Sequence, residues 1–124
     1  ANVTLAEFEP IYITIQTEGD VCIVQFVLSQ LRDDENIEQM GHELFALVEQ
    51  YGCRKVVLSL RGVEYVTSSV LGKMITLHRK LHRQKGMLVI CEIPEHVVDI
   101  LRSSRLMTYF HVADDRGAAV AAFG

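Results

Sequence analysis

Apolar residues change their spacing several times along the chain, and each change marks an element. In "IYITIQTEGDVCIVQFV", residues 11–27, Ile11, Ile13 and Ile15 alternate with polar or amphipathic neighbours, and so do Val21 and Ile23 beyond Gly19–Asp20. Alternation at period two on both sides of a turn signal predicts a β-hairpin. In "LSQLRDDENIEQMGHELFALVEQYG" the period becomes helical: Ile37, Met40, Leu44, Leu47, Val48 and Tyr51 recur at steps of three and four. The preceding acids Asp33, Asp34 and Glu35 suit the positive end of that helix, and Gly52 suits its end.

"KVVLSL", residues 55–60, is a short, nearly continuous β-branched run, the pattern of a central strand covered on both faces. Leu71, Met74, Ile75, His78 and Leu81 then form one helical face that stops near Gly86. "MLVICEI" is a second buried strand. Pro94 opens a short helix, "PEHVVDILRSSRL", at the first-turn position where proline is tolerated. A strand around "YFHVA" and a helix with an acidic start, "DDRGAAVAAFG", close the chain. The order β-β-α-β-α-β-α-β-α implies an α/β fold with a mixed sheet and parallel crossovers.

The bulk properties narrow the function classes. A chain of 124 residues suggests one core, with a radius of gyration of roughly 14 Å. A formal net charge of -4 gives no general reason to expect direct nucleic-acid binding. No apolar run approaches the ~20 residues of a membrane span, and "ANVTLAEFEP" lacks the basic and apolar regions of a secretory signal. Cys22, Cys53 and Cys91 are widely spaced, and Cys22 and Cys91 sit inside apolar strands, so a reducing cytoplasm is the natural setting. Without a C-x-x-C, neither a zinc knuckle nor a redox pair is indicated.

Candidate chemistry is sparse. Among His42, His78, His82, His96 and His111, only His78 and His82 have a ligand-like spacing, and "RKL" between them reads as a solvated basic helix face. Lys73, Arg79, Lys80, Arg83 and Lys85 run without an intervening acid, which also reads as a solvated face. G-x-S-x-G, G-x-G-x-x-G and Walker patterns are missing, so no cofactor, metal or catalytic residue is indicated and the chain is expected not to be an enzyme.

What stands out is Thr67–Ser68–Ser69, at the predicted C-terminal end of a parallel strand and the start of a helix. One hydroxyl suffices for an N-cap, worth ~1 kcal/mol. Ligand and regulatory sites of open α/β sheets gather at this edge. A phosphate there would add a charge of about -1.5 to -2 beside a helix N-terminus that tolerates it.

From about Ile11 to Phe123 the chain resembles a STAS domain, the fold of bacterial anti-sigma factor antagonists. The resemblance rests on the strand pair, "KVVLSLRGVEYV", "TSSVLGKMITLHRKLHRQKG", "MLVICEIPEHVVDILRSSRLMTYFHVADD" and the closing helix. It implies an N-terminal extension at 1–10, a single domain at 11–124, and about four helices on a mixed sheet. It also implies a non-enzymatic partner switch. An anti-sigma factor that is a serine kinase, with an ATPase of histidine-kinase-like fold, binds the unmodified form and phosphorylates it; a serine phosphatase resets it. The family's Asp-Ser-Ser/Thr-Gly-Leu-Gly motif falls on residues 67–72, which makes Ser68 the phosphoacceptor, with Ser69 and Thr67 as alternates.

The partner surface implied is Asp33, Asp34, Thr67, Ser68, Ser69, Val70, Leu71 and Lys73, and a homodimer is compatible with it. Thr67 and Val70 replace the motif's aspartate and first glycine, and "LSQLRDDENIEQM" replaces a Gly-Glu-Leu-Asp-like segment, with Asp33 or Asp34 in the acidic role. These departures motivate an alternative: a STAS scaffold that never cycles through phosphate, either a stressosome-like component or a module for a small ligand or nucleotide.

Overall fold

The computed structural model describes residues 4–31 and 33–124. In chain order the elements are β1 (Ile13–Glu18), β2 (Val21–Phe26), α1 (Asp34–Glu49), β3 (Lys55–Ser59), α2 (Ser68–Arg83), β4 (Met87–Cys91), α3 (Glu95–Ser103), β5 (His111–Ala113) and α4 (Arg116–Ala121). The strands form one sheet in the order β1-β2-β3-β4-β5. β1 and β2 are antiparallel, with Glu18 opposite Val21 across the Gly19–Asp20 turn; the other three pairings are parallel. A two-residue turn can join only antiparallel strands, whereas each parallel step needs a helix to carry the chain back. The mixed α/β sheet expected from the element order is the one found.

Alternation along the strands divides the interior between two faces. Cys22, Val24, Val56, Leu58, Leu88 and Ile90 face a large core shared with Met40, Leu44, Leu47, Met74, Leu77, Leu81, Val97 and Leu101. Those helical residues come from α1, α2 and α3; on α2 the buried side chains are Val70, Met74, Leu77 and Leu81, while Leu71, Ile75 and His78, expected on the inward face, are only half-buried. Val21, Ile23, Val57, Val89 and Cys91 face a smaller core closed by Ala119 of α4, with Val120 and Phe123 at its edge. This double burial explains why β3 and β4 read as continuous apolar runs.

Two element ends differ from expectation for local reasons. α2 stops at Arg83, because Lys85 turns left-handed at φ 62° and the Gly86 amide closes onto the Leu81 carbonyl at 2.7 Å. A Cβ on Gly86 would lie 2.3 Å from the Arg54 carbonyl oxygen, so only glycine lets these backbones pass. Pro94 is the residue before α3 rather than its first turn; its carbonyl accepts the amide hydrogens of Val97 and Val98.

The described part of the N-terminal segment lies against the domain. Leu5 and Phe8 pack on the large core, and the Phe8 ring stacks on Tyr51 with centroids 4.7 Å apart. Residues 1–3 lie outside the described residues.

Candidate functional site

The chain leaves β3 through residues 60–67, a loop fixed at three points. The Leu60 amide bonds the Cys91 carbonyl at 3.0 Å, and Val63 and Val66 are buried in the large core. Anchoring these two valines leaves Glu64 and Tyr65 to face solvent between them, and Tyr65 is 72% exposed.

Thr67 is the N-cap of α2: its backbone is extended, and its Oγ1 accepts the Val70 amide at 3.2 Å. The cap is therefore the threonine and neither serine. Ser68 and Ser69 occupy the first helical positions, both exposed, and neither hydroxyl has a protein partner among the described residues. The Thr67 departure from the family motif becomes intelligible here. Threonine supplies the same cap acceptor as aspartate but leaves the helix start without a carboxylate. Val70 points inward, at 7% exposure, so its branched side chain supports the site from below.

α1 begins beside this segment. Asp33 caps it, accepting the Asn36 amide at 2.9 Å, and Asp34 is its first residue. The two helix starts and the preceding loops enclose a cleft of about 480 Å³. Its floor is apolar, from Phe26, Leu28, Leu31, Ile37, Val63 and Val70, and its rim carries Asp33, Asp34, Glu64, Tyr65 and Thr67. Asp33, Asp34, Thr67 and Val70, chosen from distant parts of the sequence, thus line one cleft. Ser68 and Ser69 stand on the adjoining surface, and Leu71 is half-buried against the large core. Sequence reasoning missed Tyr65, Glu64, Leu28 and Leu31. An aromatic in "GVEY", directly before the hydroxyl run, was the available signal.

Lys73 is placed differently from the rest. It does not line the cleft; its Nζ meets Glu38 Oε1 at 2.6 Å, tying α2 to α1, and holds the Glu38 carboxyl below its ordinary pKa. The basic run as a whole is less free than its sequence suggests. Lys80 reaches Glu49 at 2.7 Å and lies over the Phe45 ring, so two of the five cations join the two helices. His82 is exposed, as a solvated face requires, whereas His78 is half-buried against Tyr109 and Phe110 with its Nδ1 buried and unpaired. Among the described residues no group of three or more His, Cys, Asp or Glu side chains is placed to hold a metal.

A polar clamp braces the same end of the sheet. Ser59 Oγ donates to Glu92 Oε1 at 2.7 Å, and Arg116 Nε donates to the same oxygen at 2.7 Å. The clamp joins β3, β4 and the start of α4, and Glu92 adopts φ 54° to reach it. Arg116 above all, with help from Ser59, holds the Glu92 carboxyl below its usual range.

Comparison with known proteins agrees with this architecture. The family model described as STAS domain matches residues 12–119. BtrV of Bordetella bronchiseptica, named as an anti-sigma factor antagonist, is 39% identical over 88 residues, covering 71% of this chain and 75% of that protein. An anti-sigma-factor antagonist STAS domain protein from Planctomyces limnophilus superposes with a TM-score of 0.76 at 21% identity, over 90% of this chain and 98% of that one. The Bacillus cell fate determinant SpoIIAA in its phosphorylated form gives a TM-score of 0.66 at 12% identity, over 90% of this chain and 99% of that one. With the sheet order, the capped α2 start and the matched span in agreement, the chain belongs to the STAS-domain family.

Proposed function

We propose that the protein is an anti-sigma factor antagonist: a binding module, not an enzyme, whose partner surface is switched by phosphorylation of Ser68. The observation that carries this reading is the division of labour at the start of α2. Thr67 does the capping, so Ser68 is an exposed hydroxyl with no structural task, beside an apolar cleft with an acidic rim. The partner is an anti-sigma factor that is also a serine kinase, with an ATPase of histidine-kinase-like fold, and a serine phosphatase removes the phosphate. The setting is the cytoplasm, without direct contact to nucleic acid or membrane.

The charge distribution supports a switch that acts by repulsion. A phosphate on Ser68 adds a charge of about -1.5 to -2 to a surface already carrying Asp33, Asp34 and Glu64. Lys73 is engaged by Glu38. The new charge leaves the helix start intact, since an anion there is favourable, and acts on whatever docks across the cleft. Tyr65 is the natural apolar anchor of that contact.

A second reading, a scaffold that does not cycle through phosphate, is favoured by one observation. A cleft of about 480 Å³ with an apolar floor falls in the size range of small-ligand sites, roughly 300–1,000 Å³.

The test is incubation with the cognate kinase and ATP, followed by peptide mass spectrometry and binding measurements on the wild type, Ser68→Ala and Ser68→Asp. The expected result is one phosphate on Ser68, loss of partner binding in Ser68→Asp and retained binding in Ser68→Ala. No phosphate within residues 67–69, together with unchanged binding by Ser68→Asp, would overturn the switch in favour of the scaffold.

A further inference from the structure

The end of the sheet opposite the candidate site holds a pair of sulfurs that the chain brings together from 31 positions apart. Cys22 lies on β2, and Cys53 lies in the turn between α1 and β3. Their Sγ atoms are 3.1 Å apart, and both residues are buried, at 4% and 8% exposure. The contact is held from both sides. Cys22 is fixed by its place in the sheet, opposite Val56 of β3. The Cys53 amide donates to the Leu47 carbonyl at 2.8 Å, and the Arg54 guanidinium donates to the carbonyls of Val48 and Cys53. A cavity of about 360 Å³, lined by both cysteines with Thr17, Asp20, Arg54 and Lys55, adjoins the pair. The cavity is large enough to admit a small oxidant beside the pair.

We infer that Cys22 and Cys53 form a dithiol that peroxide oxidises reversibly to an intrachain disulfide. Cys53 is the attacking sulfur: the Cys22 thiol 3.1 Å away, with the Arg54 guanidinium alongside, favours its thiolate. The Cys53 thiolate attacks one oxygen of hydrogen peroxide, the O–O bond breaks, and the departing hydroxide takes up a proton, leaving a sulfenic acid and one water. The Cys22 sulfur then attacks the Cys53 sulfur and displaces hydroxide, which accepts the Cys22 proton and leaves as a second water. Two thiols lose two electrons in all, and one peroxide gains them. Cys91 serves as an internal control. It is fully buried on the other face of the sheet, and burial pushes its thiol up to about 11.

The bond closes the segment from β2 through the whole of α1. It constrains the unfolded chain and leaves the Ser68 surface untouched. The experiment is titration of the native, reduced protein with hydrogen peroxide, read by intact mass and by peptide mapping without reduction. The expected product has lost two hydrogen atoms, contains a linked Cys22–Cys53 peptide, melts several degrees higher and returns to the starting mass with dithiothreitol. Cys91→Ser gives the same product, and Cys53→Ala and Cys53→Ser do not. Accumulation of a Cys53 sulfinic acid beside a free Cys22 thiol overturns the proposal. So does a native protein that stays reduced under peroxide but cross-links once unfolded.

Discussion

Gly41 on α1 leaves the space that the side chain of Lys73 on α2 occupies: a Cβ at position 41 would lie 2.6 Å from Lys73 Cδ and 2.7 Å from its Cε. The lysine stem crosses the buried glycine and ends on Glu38, so the α1–α2 seam is closed by a small residue and an ion pair together. Gly41→Ala gains up to about 1 kcal/mol of helix propensity but pushes Lys73 away from Glu38, whose exposed carboxylate makes the pair a solvent-screened one. The net change in stability is expected to stay within about 1 kcal/mol. A double-mutant cycle on Glu38→Gln and Lys73→Met is expected to give measurable coupling in the wild type and none in the Gly41→Ala background. Equal coupling in both backgrounds would show that the lysine does not need the glycine.

The three hydroxyls at the start of α2 separate by stability. Thr67→Ala removes the acceptor for the Val70 amide and is expected to cost about 1 kcal/mol, with Thr67→Asp restoring it. Ser68→Ala and Ser69→Ala remove groups without a protein partner and are expected to stay within about 0.5 kcal/mol. Urea denaturation of the four variants checks the order, and a serine more costly than the threonine contradicts the assignment.

Tyr65 is the most exposed large apolar side chain of the described residues, between two buried valines that fix its loop. Tyr65→Ala is expected to leave the melting temperature unchanged while weakening the proposed anti-sigma factor complex at least tenfold. Isothermal titration calorimetry distinguishes this from a bystander tyrosine, whose loss leaves the affinity intact.

Acidification should destabilise the fold in two steps. Burial, with positive charge on His111, His82 and Arg79 around it, holds the His78 pKa below its ordinary 6.5. The unfolded chain therefore takes up that proton first. Stability is full above about 6.5 and falls as pH drops from there through the folded value. The Glu92 carboxyl, held below 4.5 chiefly by Arg116, contributes fully above 4.5 and loses its contribution as pH falls through its own lower value. His78→Phe should flatten the upper step and Glu92→Gln the lower. Glu92→Gln also costs about 1–3 kcal/mol near neutrality. Melting temperatures across the two ranges test both.

The elements legible in the sequence are those whose burial repeats. Val56, Val57 and Leu58 announce a strand covered on both faces, and Met74 and Leu81 announce the inward face of α2, whereas the buried Leu77 fell outside the face read from the spacing. The cleft was half legible, since Asp33 and Thr67 carry cap signals in their own right. Which of three adjacent hydroxyls caps the helix was not, because the choice depends on where the backbone leaves its extended conformation. Lys73 looked free because its partner Glu38 comes from another helix, and Cys22 gave no sign of Cys53 because only the pairing of β2 with β3 and the turn after α1 together bring them close. Tyr65 was passed over as a single aromatic without periodicity; only the burial of Val63 and Val66 shows which way it faces.

The smaller core rests under a helix of six residues. A helix that short has little intrinsic stability and stays formed only while docked. Its stops are the Asp115 cap and the grip of Arg116 on Glu92. Hydrogen exchange in β3 and β4 should therefore report two clocks. Fraying of α4 exposes Val57, Val89 and Cys91 from one side at a modest free-energy cost, whereas the face under α1 and α2 opens only with the whole domain. The first apolar surface that a damaged or newly made chain shows to its neighbours is then the one under α4, away from the cleft between the α1 and α2 starts.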